Sequence, residues 1–201
     1  ILSAVLSAAS NPSSWRVRRN AAAVACVMQT KLHFVLTSAQ HGALDATTLS
    51  LLGDSSREVQ ETARLAVSTR VTHLTARETR VLCEKFAMGA DRRQPAAAEA
   101  IKEPSGAMRE QLVNVLGLSA IVLAAPCDVP SWVPGALESL SRHVHDESPG
   151  RLPVRQTVTN TFKEFRRTHQ DKWEESHKSH FSREQLDSFD DVLGGAHSYF
   201  T

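Results

Sequence analysis

Val154-Arg155-Gln156-Thr157-Val158-Thr159-Asn160-Thr161-Phe162-Lys163-Glu164-Phe165 decides the fold. Val154, Val158, Phe162 and Phe165 recur at three- and four-residue steps, which puts them on one face of an α-helix with polar side chains between them. Three other segments share the opening grammar: an apolar residue, usually then Arg, then a small or apolar residue one helical turn on. They are Val17-Arg18 with Ala21, Val59-Gln60 with Ala63, and Met108-Arg109 with Leu112. The anchors Val17, Val59, Met108 and Val154 stand 42, 49 and 46 residues apart, the period of the helix-pair repeats of the HEAT and armadillo type. Val17, Ala21, Val24 and Met28 form one apolar stripe, and Met108, Leu112 and Val115 another.

The breaks agree with this register. Asn11-Pro12-Ser13-Ser14 and Asp54-Ser55-Ser56 supply capping oxygens and a turn before the first two anchors. Shorter helical patterns, roughly Ala43 to Leu52, Ala76 to Met88 and Ser131 to Val144, read as the first helices of successive pairs. Residues 89–106, with Asp91-Arg92-Arg93, an alanine run, Pro95 and Pro104, read as a flexible insertion that accounts for the widest spacing. In the last helix Ser182 and Gln185 have capping-box spacing, Phe181 and Leu186 staple spacing, and Gly194-Gly195 marks the end after Leu186, Phe189 and Leu193. Strand signals are nearly absent. The expected fold is an all-α, HEAT-like helical-repeat solenoid of about four helix pairs.

Composition narrows the function classes. With 41% hydrophobic and 22% charged residues among 201, the chain reads as a globular or repeat protein. A net charge of +1, from 23 basic and 22 acidic side chains, supplies no field that would argue for nucleic acid or an anionic membrane, so neither is expected as a direct partner. Three widely spaced cysteines, Cys26, Cys83 and Cys127, suit free thiols in a reducing compartment. The start, Ile1-Leu2-Ser3-Ala4-Val5-Leu6, reads as the interior of a helix, as in a fragment of a longer solenoid.

The C-terminal quarter carries a more specific signal. Asp128-Val129-Pro130-Ser131-Trp132-Val133-Pro134 comes first, then Thr157, Phe162 and the run Arg166-Arg167-Thr168-His169-Gln170-Asp171-Lys172-Trp173. Gln185-Leu186 and the aromatic end Tyr199-Phe200-Thr201 follow. In that order these features resemble the C-terminal domain of the family of giant single-chain HEAT-repeat proteasome activators, the proteasome activator complex subunit four family. The resemblance runs from about Leu112 to Thr201 and is architectural before that. It divides the chain into HEAT-like repeats over 1–111, including a bromodomain-like region, and an activator domain over 112–201 with a docking tail over 196–201.

What the resemblance implies is ATP-independent capping of the proteasome core particle. The family's terminal motif of a hydrophobic residue, Tyr and any residue enters pockets between subunits of the outer ring and favours the open gate. Tyr199 would take the hydrophobic place, Phe200 the tyrosine place, and Thr201 would present the carboxylate to a pocket lysine. Phe200 lacks the tyrosine hydroxyl, and a lost hydrogen bond typically costs about 0.5–1.5 kcal/mol. The plain alternative is an inert C-terminus. The resemblance further implies acetylated histones as possible partners, a link to DNA repair, and a place in nucleus and cytoplasm. The family's Asn-Phe pair of the acetyl-lysine slot falls near Thr72-His73-Leu74-Thr75, where neither residue stands and His73 or Thr72 would have to donate. The competing class is therefore an acetyl-lysine reader or HEAT-repeat adaptor whose tail is inert.

Other clusters read as structural. Arg166-Arg167 with Lys163 and Lys172 suits a solvated helix face paired with Glu164, Glu174 and Glu175, and Trp173 suits the core. Asn114 and Asn160 sit inside helices. Glu174, His177 and His180 form one polar row and His143 with His145 another, but neither makes a closed zinc set. Asp190-Asp191 point to different sides of a helix. No phosphate loop, nucleophile elbow or Cys-His arrangement stands out, so no enzyme, cofactor or metal is expected.

Overall fold

The computed structural model describes residues 1–91, 104–147 and 150–194. Among them are nine α-helices and no strand: α1 (Leu2–Ala9), α2 (Trp15–Lys31), α3 (Ser38–Leu51), α4 (Arg57–Val71), α5 (Ala76–Ala90), α6 (Pro104–Val122), α7 (Val133–Ser141), α8 (Leu152–His169) and α9 (Arg183–Gly194). Short 3-10 turns follow α8 at Gln170–Lys172 and His177–His180. The chain has the all-α, HEAT-like helix-pair fold expected of it: the four anchors fall on α2, α4, α6 and α8, the second helices of the pairs. These second helices are also the ones that stack, α2 on α4 and α6 on α8. The middle of the expected insertion, 92–103, lies outside the described residues.

Two compact units are present, Ile1–Arg77 and Glu78–Thr201. In the first, Ala21, Ala22 and Ala25 of α2 and Val59, Ala63 and Ala66 of α4 are buried. Small side chains on both helices let the two axes approach closely. The α2 face departs from the expected stripe. Ala21 and Met28 are buried, but Val17 is 38% and Val24 42% exposed. The alanines, not the valines, form the packed side, and Gln29 joins them because its amide donates to Asp45 Oδ1 at 2.7 Å.

The arginine of the repeat grammar has a structural partner at the first anchor. Arg18 donates from Nε and Nη2 to the two oxygens of Asp54, at 2.5 and 2.9 Å, and from Nη1 to the Asn11 carbonyl. A planar fork matched to a carboxylate fixes direction as well as distance, so the turns before α2 and α4 are tied together. The caps divide the remaining work. Ser14 Oγ accepts from Val17 N, whereas Ser56 makes no side-chain cap and instead gives its backbone N–H to Asp54 Oδ1. Helix α3 starts earlier than the apolar pattern suggests, because Thr37 and Gln40 form a reciprocal capping box.

In the second unit Val115, Leu118, Ile121 and Val122 of α6 are buried, as are Val154, Val158, Phe162 and Phe165 of α8, the whole stripe quoted at the outset. Thr161 and Ser119 share a buried hydroxyl hydrogen bond of 2.7 Å between these helices. Gly117 brings α6 against Phe86 of α5, where a Cβ would stand 2.5 Å from the ring. Gly150, with φ of 84°, makes the left-handed step into α8. Arg151, the next residue, is buried and its Nε pairs with Asp146 at 3.2 Å.

Candidate docking site at the C-terminal helix

The residues that set the root of the tail begin at the end of α8. Its buried stripe continues one turn past Phe165 to His169, whose ring stacks on Phe165 with centroids 4.0 Å apart. His169 Nε2 lies 2.9 Å from the Asp128 carbonyl oxygen, and Nδ1 lies 3.0 Å from the Thr168 hydroxyl. Nδ1 also lies 2.9 Å from the Phe165 carbonyl oxygen, so each ring nitrogen faces a carbonyl acceptor, and the tautomer protonated on Nε2 donates to Asp128. This bond ties the Asp128-Val129-Pro130 loop to the end of α8.

The chain then turns back through the two 3-10 segments. Trp173 is 5% exposed and stacks on Phe189 of α9, with centroids 5.1 Å apart and planes inclined at 27°. Phe181 meets Trp173 at 5.6 Å, and Phe162 meets Phe189 at 5.1 Å. The Arg166 guanidinium lies over the Trp173 ring at 4.4 Å, a cation–π contact. Trp173 is thus core, as expected, and clamps the segment after α8 to α9.

Helix α9 starts from the expected capping box: Ser182 Oγ accepts from Gln185 N, and Gln185 Oε1 accepts from Ser182 N. Its buried residues are Phe189 and Val192, while Leu186 and Leu193 are only half-buried. Two polar ties reach α7 and the residues after it. Gln185 Nε2 donates to Glu138 Oε2 at 3.0 Å, and His145 Nε2 meets Asp191 Oδ2 at 2.6 Å. The helix is held by rings on one side and by polar contacts on another. Tyr199, Phe200 and Thr201, with the rest of 196–201, lie outside the described residues.

The remaining sequence candidates are placed as follows. Arg167 makes two hydrogen bonds to Glu164, and Lys178 pairs with Glu174, so part of the basic run is a paired helix face. Lys163 and Lys172 are exposed. The Glu174, His177, His180 row does not converge: His177 is buried with its ring edge-on to His169, whereas His180 is exposed. His143 faces Asp91 at 3.5 Å and Gln111 at 3.4 Å, and burial lowers its pKa more than Asp91 raises it. Among the described residues no group of three or more His, Cys, Asp or Glu side chains is arranged to hold a metal ion, and no helix is long and apolar enough to cross a membrane.

Thr72 to Thr75 follow α4. The Thr72 hydroxyl donates to the Thr69 carbonyl at 2.7 Å, the His73 ring stacks on His33, Leu74 is half-buried and Thr75 exposed. Asn114 donates to the Glu110 carbonyl of its own helix, and Asn160 is exposed. His169 stands in the run quoted for the resemblance, but its buried place at the end of the α8 stripe, one turn beyond Phe165, is not read from the sequence. The His145 to Asp191 pair joins residues with no sequence relation that would reveal it.

Comparison with known proteins identifies the family of this region. Residues 108–201 match the family described as proteasome activator complex subunit 4-like, C-terminal. Proteasome activator complex subunit 4 of Xenopus laevis is 44% identical over 90 residues, covering 45% of this chain and 5% of its own length. The Homo sapiens protein of the same name is 33% identical over 94% of this chain and 10% of its own length. Proteasome activator subunit 4 of Arabidopsis thaliana is 29% identical over 100% of this chain and 11% of its own length. The chain therefore spans between about a twentieth and a tenth of these relatives. Residues 108–201 hold the C-terminal domain of the proteasome activator complex subunit 4 family, and the chain belongs to the C-terminal region of that family.

Proposed function

We propose that this chain forms the C-terminal end of an ATP-independent proteasome activator, which caps the core particle and opens its gate through residues 196–201. Tyr199 fills an apolar place in a pocket between outer-ring subunits, Phe200 buries its ring beside it, and the Thr201 carboxylate pairs with a pocket lysine. Residues 112–201 act as the activator domain and 1–111 as the repeats that lead into it. The work is carried out where core particles reside, in nucleus and cytoplasm. Hydrolysis of peptide bonds belongs to the core particle; this chain contributes binding and gate control.

The observation that carries the reading is that the family match runs through residue 201, so it includes Tyr199, Phe200 and Thr201. The anchored helix supports it. Its capping box and its ring contacts hold α9, the element that precedes residues 195–201, and a docking segment next to a held element gains effective concentration.

The test uses a synthetic peptide of Gly194 to Thr201 and purified core particle, with hydrolysis of a small fluorogenic peptide as readout. Stimulation by the free acid and none by its amide is the expected result. A Phe200→Tyr peptide is the positive control, expected to act at a several-fold lower concentration because the restored hydroxyl is worth about 0.5–1.5 kcal/mol. Activity of that control with none from the native sequence would overturn the gate-opening role of this tail.

A further inference from the structure

The α2–α3 turn presents two apolar side chains to solvent, Phe34 at 96% and Val35 at 77% exposure. Behind them three histidines from different parts of the first unit come together: His33 in the turn, His41 on α3 and His73 just after α4. The His33 and His73 rings stack with centroids 4.5 Å apart and planes inclined at 19°, and His41 stands 5.0 Å from His33. His41 Nε2 lies 3.0 Å from the His33 carbonyl oxygen, so it donates there. Nδ1 of His33 and Nδ1 of His41 are buried and meet no protein partner.

We propose that this histidine cluster is a proton-sensitive latch that closes the α2–α3 turn onto the end of α4 and releases it in mild acid.

Stacked neutral imidazoles attract, whereas two imidazolium rings at the same separation repel, and a proton added at a buried Nδ1 gains a donor without an acceptor. The surrounding charges reinforce this. Arg70 of α4 adds positive charge. Asp45 of α3 offers little compensation, since it already accepts from Arg70 Nε at 3.0 and 3.2 Å and from Gln29 at 2.7 Å. The carbonyl ends of α2 and α4 favour a nearby cation, which opposes the effect. Desolvation dominates nonetheless, followed by His73, His41 and Arg70, and the His33 pKa is lowered from its ordinary 6.5.

The sign follows. A histidine whose pKa is depressed when the turn is closed binds fewer protons closed than open, so closure is strongest above about pH 6.5 and weakens as pH falls below it. Release stays local. The start of α3 is fixed by its own Thr37 and Gln40 capping box, and the last turn of α4 by the Arg70 to Asp45 pair.

Hydrogen exchange of the 201-residue chain, corrected for the intrinsic pH dependence of exchange, tests the latch. Exclusion of a proton from the closed turn makes protection of residues 32–37 fall between pH 7 and pH 5.5, by at most roughly tenfold for one proton, while peptides from α6 and α8 keep theirs. His33→Gln and His73→Gln each flatten the profile. Either variant suffices if the other fails to fold by circular dichroism. Protection of 32–37 that is independent of pH overturns the proposal, as does a fall matched by α6 and α8 or one that persists in the folded variants.

Discussion

Replacing Trp173 by alanine tests whether the aromatic cluster is what holds α9. A tryptophan of this burial removes up to about 250 Å² from water. At about 25 cal/mol per Å² that is roughly 6 kcal/mol, and allowing for residual burial in the unfolded chain brings it to about 4 kcal/mol. The cavity route gives a similar figure, about 3–5 kcal/mol for Trp→Ala in a core. Contacts to Phe189, Phe181 and Phe165, at 5.1, 5.6 and 6.4 Å, all disappear together, with the Arg166 contact. A loss near 4 kcal/mol lowers Tm by on the order of 10 °C for a chain of this size. Urea unfolding followed by circular dichroism measures it, and Trp173→Phe, which keeps a ring against Phe189, should lose less than half as much. Arg166→Met isolates the cation–π share, about 0.5–1 kcal/mol. A Trp173→Ala variant within about 1 kcal/mol of the parent would refute the clamp, since only a side chain loosely held against its neighbours is removed so cheaply.

Two glycines predict opposite outcomes. Gly117→Ala drives a methyl into the buried Phe86 ring and should lower stability by about 1–3 kcal/mol. Gly42→Ala, within α3 with nothing inside 4 Å, should raise it by about 0.5–1 kcal/mol through helix propensity; thermal melts of both decide. Burial, with a smaller contribution from Glu84, pushes the Cys83 thiol up to about 11, whereas Cys127 is exposed. At pH 8 only about one Cys83 in a thousand is thiolate, so brief iodoacetamide treatment should label Cys127 and spare Cys83 by peptide mass spectrometry. Equal labelling would mean that the α5 core opens readily.

The helix pairs were legible because repeated anchors report burial directly. Val154, Val158, Phe162 and Phe165 are apolar, regularly spaced and all buried, and the α9 capping box is a local device written in adjacent residues. The α2 face departs from the expected stripe for a physical reason. Valine outranks alanine in hydrophobicity, but close approach of α2 and α4 is set by small side chains, so Ala21, Ala22 and Ala25 went inside while Val17 and Val24 stayed out. The Arg18 to Asp54 fork, the His145 to Asp191 pair and the three-histidine cluster join residues distant in sequence. Residue type and local spacing carry no record of such pairings, which arise only when turns meet.

A tail and its root are separable in energy, and the two need each other. Three residues cannot supply tight binding: a buried phenylalanine contributes about 1.5–3 kcal/mol, and ordering each rotamer-rich side chain at an interface costs about 0.5–1.5 kcal/mol. Such a tail acts at low concentration only if its root is already held near the pocket, so that docking is effectively intramolecular; free in solution it needs a far higher concentration. Loosening α9 should then weaken stimulation by a folded activator that contains this region, while the isolated Gly194 to Thr201 peptide, which has no root to lose, keeps its own activity. Substitution of Phe200 should weaken both. Trp173→Phe and Phe200→Ala, compared in the full activator and, for Phe200, in the peptide, distinguish a failed anchor from a failed key. Equal losses from Trp173→Phe at 25 °C and well below it would assign its effect to positioning, whereas a loss seen only near Tm would assign it to unfolding alone.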